Sequence, residues 1–263
     1  MRTPFRAALS RLVGWIADRR IPAPLRAGVY RSYARFTGAD LGEVRDPLAA
    51  YESLGRFFVR RLKDGVRPID ARTDALVSPC DGTIQAAGGV ERGSLLQAKG
   101  RDYSLAALLG SESDARTCEG GYAWTIYLSP RDYHRVHAPE RCTLAEVRRI
   151  PGTRFSVAPE VLARRLVLPI NERAVFHLET ASGPLFLVMV GATNVGRICV
   201  VGELAQQRFT RGEEMARFEM GSTVVLVAPA GVVTPAAAIA PGVRVRLGES
   251  LASWTRAAGA QLA

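Results

Sequence analysis

The feature that most constrains the fold of this chain is a change of pattern near residue 75. Beyond it, short β-branched or apolar runs alternate with Gly, Pro and Asp turns, which is typical of antiparallel sheets. These runs lie at 81–84, 124–128, 174–178, 185–190, 198–201, 224–227 and 243–247. A short helix is predicted at 103–109, with Ser104 as its N-cap. The sequence therefore predicts a mainly antiparallel β body.

The first 62 residues carry a different pattern, with apolar side chains at helical spacing that indicate three amphipathic helices. Their stripes are Phe5, Leu9, Leu12, Val13 and Ile16; then Leu25, Val29, Tyr33 and Phe36; then Leu48, Tyr51, Leu54, Phe58 and Leu62. Gly38 could cap the second helix, and Asp46 with Pro47 should begin the third. With residues 64–74 as the join, we expect an α+β chain: a helical region at 1–66 and a β body at 67–263.

Net positive charge is concentrated in the helical region. The chain has a net charge of +10, and residues 1–67 hold fourteen Arg or Lys against six Asp or Glu. Such a surface suits anionic lipid or nucleic acid. Either the helices pack on the body with solvated arginines, or they lie on a membrane surface. Because no helix-turn-helix, zinc or RNA-binding motif is visible, we expect no nucleic-acid partner.

Neither a secretory signal nor a membrane span is evident. Arg11, Asp18 and Arg19 interrupt the N-terminal apolar residues. The longest uncharged stretch, 221–242, contains three prolines and reads as strands and turns. The four cysteines form no C-x-x-C pair, which favours reduced thiols in a cytoplasmic setting.

A Gly221-Ser222-Thr223 segment follows a charged turn at 212–214 and precedes an apolar run. This is either a plain turn before a strand or a site of self-attack. If the peptide bond is strained and a base is near, the Ser222 hydroxyl can attack the Gly221 carbonyl of its own chain.

Two of the three histidines, His134 and His137, lie in one short segment. They could be metal ligands, hydrogen-bonded loop residues or a general base near the serine. No further ligands occur at recognisable spacing, so we expect no metal. Asp81, on an Asp-Gly turn, could orient the base, and Asp132 competes for this role. We expect the third histidine, His177, to be structural.

Four segments resemble the phosphatidylserine decarboxylase family, and together they are highly specific. They are Ser78-Pro-Cys-Asp-Gly-Thr83; Gln97-Ala-Lys-Gly100 with Tyr103-Ser-Leu105; Tyr127-Leu-Ser-Pro-Arg-Asp-Tyr-His-Arg-Val-His-Ala-Pro139; and Gly212-Glu-Glu-Met215 through Gly221-Ser-Thr223. The resemblance covers most of residues 45–228, in the family's order. Met220 and Cys80 depart from the residues usual in the family, but neither change alters the expected chemistry.

The resemblance implies a proenzyme. Asp81, His137 and Ser222 would form a triad that acts once, on the chain itself, and cuts it between Gly221 and Ser222. A β chain of 1–221 and an α chain of 222–263 would stay associated and build the β body together. Ser222 would become a pyruvoyl group, which condenses with the serine headgroup of the lipid and acts as an electron sink.

The implied reaction converts phosphatidylserine to phosphatidylethanolamine, with His134 as a decarboxylation residue. Lys99 is a candidate phosphate contact. The resemblance also implies a peripheral protein on the cytoplasmic side of the cell membrane, bound to its anionic surface, and a homodimer. Three alternatives stay open: a pyruvoyl decarboxylase of another serine-headgroup lipid or a soluble amino acid, a non-catalytic membrane-binding module, and a conventional serine hydrolase.

Overall fold

A computed structural model describes residues 17–98, 101–192, 198–201, 207–219 and 222–255, with the backbone alone at 96–98. The predicted first helix at 5–16 lies outside the described residues, as do Lys99, Met220 and Gly221.

Helices are few and short in the part of the chain that is described. They are α1 (Ala23–Thr37), α2 (Leu54–Phe58), α3 (Leu105–Leu109), α4 (Glu112–Thr117) and α5 (Pro159–Leu162), with a 3-10 turn at Leu48–Ala50. None of those helices has the length and apolar character needed to cross a bilayer.

Strands account for most of the regular structure. They are β1 (Ala75–Val77), β2 (Gly82–Gly89), β3 (Ser94–Ala98), β4 (Arg101–Ser104), β5 (Tyr122–Leu128), β6 (Arg135–His137), β7 (Cys142–Ile150), β8 (Arg173–Thr180), β9 (Gly183–Gly191), β10 (Ile198–Val200), β11 (Arg208–Phe209), β12 (Glu214–Phe218), β13 (Ser222–Ala228), β14 (Val233–Pro235), β15 (Arg244–Val245) and β16 (Ser250–Trp254).

The largest sheet has eight strands in the order β11-β7-β8-β9-β13-β5-β2-β15. Smaller sheets have the orders β10-β12-β6, β1-β16-β14 and β3-β4. Every pairing between these strands is antiparallel. The predicted α+β class with a mainly antiparallel body is therefore confirmed, and each of the seven predicted runs contributes to a strand.

Strand β13 lies near the middle of the large sheet, between β9 and β5. All its residues are buried, which explains why 224–227 reads as a continuous apolar run rather than an alternating one. Its first residue, Ser222, pairs with Leu128 of β5 and Gly191 of β9. The candidate nucleophile thus sits at the end of a fixed central strand.

The short helix predicted at 103–109 is confirmed as α3, with one residue-level difference. The Ser104 hydroxyl accepts from the amide of Ala107 at 3.2 Å, as an N-cap should. Tyr103 belongs to β4 rather than to the helix.

The second predicted helix is confirmed as α1, and Gly38 ends it in a left-handed conformation at φ 81°. Three of the four residues of its apolar stripe do not face the core, whereas the fourth, Tyr33, packs against Phe57. Leu25 is 58% exposed, Val29 39% and Phe36 92%, whereas the buried positions are Tyr30 and Ala34.

The prediction of one continuous third helix from Asp46 is wrong. The chain forms the 3-10 turn at Leu48–Ala50, extends at Tyr51 and restarts as α2, capped by Ser53. The physical reason is tertiary: the Tyr51 carbonyl accepts from the Tyr30 hydroxyl at 2.8 Å, so it is not used in a helical turn.

The described residues contain two hydrophobic clusters. The larger one fills the β body, and a small one joins Tyr30, Val44, Tyr51 and Phe57. The boundary at residue 66 stays a prediction. Arg67 crosses it, because its guanidinium donates to Glu43 at 2.8 Å and to Asp81 at 2.6 Å.

Candidate active site

Two sequence-distant motifs meet where the chain passes between sheets. β5 continues into β6 through residues 129–134, and β12 continues towards β13 through residues 219–221. Because β13 pairs with β5 and β12 pairs with β6, the end of β5 lies beside the start of β13, and the start of β6 lies beside the end of β12. The Phe218 amide donates to the His134 carbonyl at 3.0 Å, which ties the two segments together. The topology therefore brings the histidine segment to the serine segment.

The Ser222 hydroxyl is fully buried and has no hydrogen-bond partner. An orphaned buried hydroxyl is unfavourable by about 1–3 kcal/mol, so it calls for an explanation. The adjacent Thr223 hydroxyl is also buried and unpartnered. Ser222 is thus an unsolvated hydroxyl held on a rigid strand, as a nucleophile for its own chain would be.

His134 is fully buried, and its two ring nitrogens have different surroundings. Nδ1 lies 2.9 Å from the carbonyl of Asp132, and a carbonyl can only accept, so the proton is on Nδ1. Nε2 therefore carries a lone pair, and it has no partner. The Leu128 carbonyl also lies beside this ring, and Leu128 pairs with Ser222. The buried imidazole of His134 thus lies beside the start of β13.

Burial lowers the pKa of His134 to about 3, and the positive charge of Arg60 adds to this effect. The ring of Phe58 lies against it, with centroids 3.9 Å apart. At neutral pH His134 is therefore uncharged, and its burial makes Nε2 a weak base until a nearby negative charge offsets the desolvation.

His137 is held differently. Its Nδ1 donates to the carbonyl of Gly212 at 2.9 Å, while Nε2 accepts from the Tyr133 hydroxyl at 3.2 Å. Burial lowers the pKa of His137 and raises that of Tyr133, so the imidazole is neutral and the phenol keeps its proton. Gly212 has φ +82°, and a Cβ there would lie 2.8 Å from Ile69. Glycine is therefore required where the chain turns to meet His137.

Asp81 lies close to His137 through the backbone, because the His137 amide donates to the carbonyl of Pro79 at 2.8 Å. Its carboxylate makes other contacts, however. It accepts from Arg67 at 2.6 and 2.9 Å and from the Leu247 amide at 2.9 Å. The structure thus places Asp81 and His137 on neighbouring segments without a hydrogen bond between their side chains.

Asp132, the competing carboxylate, shapes the loop before the histidines. One carboxylate oxygen accepts from the Ser129 hydroxyl at 2.6 Å, and the other accepts from Arg244 at 2.8 Å. Its backbone carbonyl, not its carboxylate, orients His134. Asp132 is therefore a loop-building residue in this arrangement.

Residues 54–253 match the sequence model of a family described as phosphatidylserine decarboxylase. The chain belongs to this family. It is 42% identical to the phosphatidylserine decarboxylase proenzyme of Anaeromyxobacter sp. (strain K), over 93% of each chain. It is also 42% identical to the proenzyme of that name from Halorhodospira halophila, over 95% of this chain and 90% of the relative. The Chromobacterium violaceum proenzyme is 42% identical, over 94% of each chain.

Several residues at the candidate active site were not predicted from the sequence. Arg67 binds Asp81, and Tyr133 binds His137. Phe58 and Arg60 reach His134 from the helical region. Tyr133 was visible as a member of the histidine motif, whereas Arg67 looked like part of a polar join. His177, the third histidine, lies on β8 with its ring 4.8 Å from that of Phe186.

The buried histidine predicts a pH dependence of stability. In the unfolded chain His134 takes up a proton below about pH 6.5, but in the folded protein only near pH 3. Between these values the unfolded state binds more protons. The free energy of unfolding should therefore fall by up to about 1.4 kcal/mol per pH unit as the pH is lowered from 6.5 towards 3.

Urea unfolding at several pH values checks this expectation. His134→Asn is the comparison, because its amide can still donate to the Asp132 carbonyl but does not titrate. The variant should show a shallower loss of stability across the same window. Equal slopes in the two proteins would show that His134 does not carry the effect.

Proposed function

We propose that this chain is a proenzyme that cuts itself between Gly221 and Ser222 and then decarboxylates phosphatidylserine with a pyruvoyl group made from Ser222. The activity itself, phosphatidylserine decarboxylation, is that of the family to which the chain belongs. The observation that carries the finer proposal is the pair of buried, unpartnered atoms, Ser222 Oγ and His134 Nε2. Two buried polar atoms without partners lower the stability of the fold, and such atoms are typical of residues that take part in a reaction.

In the cutting step the Ser222 oxygen attacks the Gly221 carbonyl and forms an ester, and elimination then breaks the chain. We assign the proton acceptor to His137, with Asp81 as the charge that favours the imidazolium. Support comes from the shared backbone contact at Pro79 and from the electrostatic effect of Asp81 on the pKa of His137. Nε2 of His137 now accepts a hydrogen bond from the Tyr133 hydroxyl. For the cutting step, the Ser222 hydroxyl must replace the Tyr133 hydroxyl at this nitrogen.

The residues present fit the pyruvoyl group, since Ser222 is a buried residue at the end of a rigid strand. When formed, this group would supply the electron sink that loss of carbon dioxide requires. His134 Nε2 would pass a proton to Cα after carbon dioxide leaves, and the anionic substrate would offset the burial that lowers the pKa of this histidine. Burial against Phe58 keeps water from competing as the proton donor.

We expect the two products of cutting to stay together. The fragment 222–263 would carry β13, which pairs along its length with β5 and β9 of the larger fragment. It would also carry β16, which pairs with β1. Separation would expose the centre of the large sheet, so association needs no covalent link. We further propose a homodimer of cut protomers, which sedimentation analysis would test.

For membrane binding we propose that the exposed apolar face of α1 lies in the boundary of the lipid headgroups. Leu25, Val29 and Phe36 project from it, and Arg31 and Arg35 are exposed nearby. Apolar side chains flanked by arginines match an anionic bilayer surface. The proposed location is the cytoplasmic side of the cell membrane, with the protein peripheral.

A triple variant, Leu25→Ser, Val29→Ser and Phe36→Ser, tests this face. Each side chain should add roughly 1 kcal/mol or more to membrane binding, so vesicle affinity should fall on the order of 100-fold. Stability should change little because these side chains are already exposed. Cosedimentation with vesicles containing anionic lipid measures the affinity, and Ser32→Ala on the same face is the matched control.

Undiminished vesicle binding by the triple variant would remove α1 from the membrane contact. A variant lacking residues 1–20 tests the preceding segment in the same assay. Its full binding would show that this segment is not needed.

Intact mass under denaturing conditions, together with carbon dioxide release, tests the whole proposal. We expect fragments 1–221 and 222–263, the smaller one lighter by one ammonia than a serine-started chain. Carbon dioxide should come from phosphatidylserine and not from free serine. A single uncut mass would favour a binding module, or a serine hydrolase if a serine-directed probe labels it. Equal turnover of other serine compounds would favour the broader decarboxylase.

A further inference from the structure

Arg60 is a buried cation whose hydrogen-bonding capacity is mostly unused. The residue is 3% exposed. Nη2 donates to the carbonyls of Arg131 and Asp132 at 2.8 and 3.3 Å, but Nε and Nη1 have no acceptor. The Phe57 ring also lies below the guanidinium, 5.2 Å from Cζ. A buried guanidinium left in this state is strongly unfavourable unless an anion arrives.

The neighbouring carboxylates do not neutralise Arg60. Asp81 is bound by Arg67, and Asp132 is bound by Arg244. Glu43 is shared between Arg67 and Arg246. With Arg131 beside Asp132, this cluster sets five arginines against three carboxylates. Burial lowers the pKa of Arg60, although Asp81 and Asp132 oppose the shift. The cluster keeps an excess of positive charge.

Arg60 also adjoins the reaction site. It follows Phe58, whose ring packs on His134. The Asp132 carbonyl that it contacts is the one that orients His134 Nδ1. Arg60 and His134 Nδ1 thus share one carbonyl, so an anion held by the free N–H groups of Arg60 would lie beside the histidine segment of the proposed site.

We propose that Arg60 binds the phosphodiester of the lipid substrate through its free N–H groups. This assignment rests on the proposed function. The substrate carries two anions, and the chemistry separates them. Decarboxylation removes negative charge from the carboxylate, so a cation bound there would stabilise the ground state and slow the reaction. The charge of the phosphodiester does not change, so a cation bound there fixes the headgroup without this penalty.

Arg60→Met tests the assignment, because it keeps the length of the side chain and removes the charge. Arg61→Met is the matched control, since that neighbouring side chain is exposed. Intact mass first establishes that each variant is cut. Calorimetry with dihexanoyl phosphatidylmethanol, a soluble phosphodiester without amine or carboxylate, then measures binding. We expect Arg60→Met to weaken it about 10- to 100-fold and Arg61→Met by less than about twofold.

A substrate comparison separates binding from a structural role. On short-chain phosphatidylserine, Arg60→Met should lose kcat/KM by the same factor. On an analogue whose serine is joined to the diacylglycerol by an ether, without phosphate, the loss should stay within about threefold. Equal losses on both substrates would mean that Arg60 only holds the 131–132 backbone, and would overturn the proposal.

If Arg60→Met fails to mature, the unaltered protein still decides. Phosphatidylmethanol should compete with phosphatidylserine, and hexanoate should not. Absence of competition, or equal competition by hexanoate, would overturn the phosphate assignment. These outcomes can be distinguished from a failure of the proposed function itself. In that case the unaltered protein would yield no pyruvoyl fragment and no carbon dioxide.

Discussion

Ser222→Ala will remain a single chain of residues 1–263 and will release no carbon dioxide from phosphatidylserine. The side chain loses the oxygen that attacks Gly221, and no pyruvoyl group can form without it. The fold should survive, because the substitution removes a buried hydroxyl that has no partner and leaves the pairing of β13 unchanged. The loss of activity should therefore be complete while the unfolding midpoint stays equal or rises.

Intact mass, carbon dioxide release and urea unfolding measure the three parts of this expectation. Thr223→Val is the matched control, since it removes the neighbouring unpartnered hydroxyl at nearly constant volume. That variant should still be cut between 221 and 222. A cut Ser222→Ala chain would refute the assignment of the nucleophile. An uncut Ser222→Ala chain with normal decarboxylation would refute the pyruvoyl mechanism.

The second large effect separates the two histidines. His137→Ala should stay uncut and inactive, because the proposed proton acceptor for Ser222 is gone. His134→Ala should be cut, yet should decarboxylate roughly 100- to 10,000-fold more slowly, the usual range for loss of a general acid or base. The different hydrogen bonds of the two rings motivate this division: His137 Nε2 is held by Tyr133, and His134 Nε2 is free.

Intact mass reports cutting, and kcat measured on the cut fraction reports decarboxylation. His177→Ala is the control, since that ring packs with Phe186 on β8 and belongs to neither motif. It should be cut and active. A cut, fully active His137→Ala protein would eliminate the triad. An uncut His134→Ala protein would move the proton acceptor for Ser222 from His137 to His134.

The class of the fold and the segments that carry chemistry could be predicted from the amino-acid sequence. Short apolar runs between turn residues are a local signal, so strands such as β5, β8, β9 and β13 could be predicted from them. The α3 cap at Ser104 and the left-handed Gly38 are equally local. The candidate site residues followed from the resemblance of four segments to the phosphatidylserine decarboxylase family, in the family's order.

Only the tertiary structure decided which partners those residues have. Most of the apolar stripe of α1 faces away from the core, since burial depends on what packs beside the helix and not on periodicity. The third helix breaks because the Tyr30 hydroxyl takes the Tyr51 carbonyl. Arg67 binds the carboxylate of Asp81 and also that of Glu43, which lies across the predicted boundary.

The sequence also gave no sign that Arg60 is a buried cation without a carboxylate partner. Arginines crowd the first 67 residues, and nothing local distinguishes a buried one from the solvated ones around it. Desolvation and orphaned donors exist only once the chain has closed around the side chain. Long-range contacts set these properties of the site, and for that reason residue order alone did not indicate Arg60 or Arg67 as members of it.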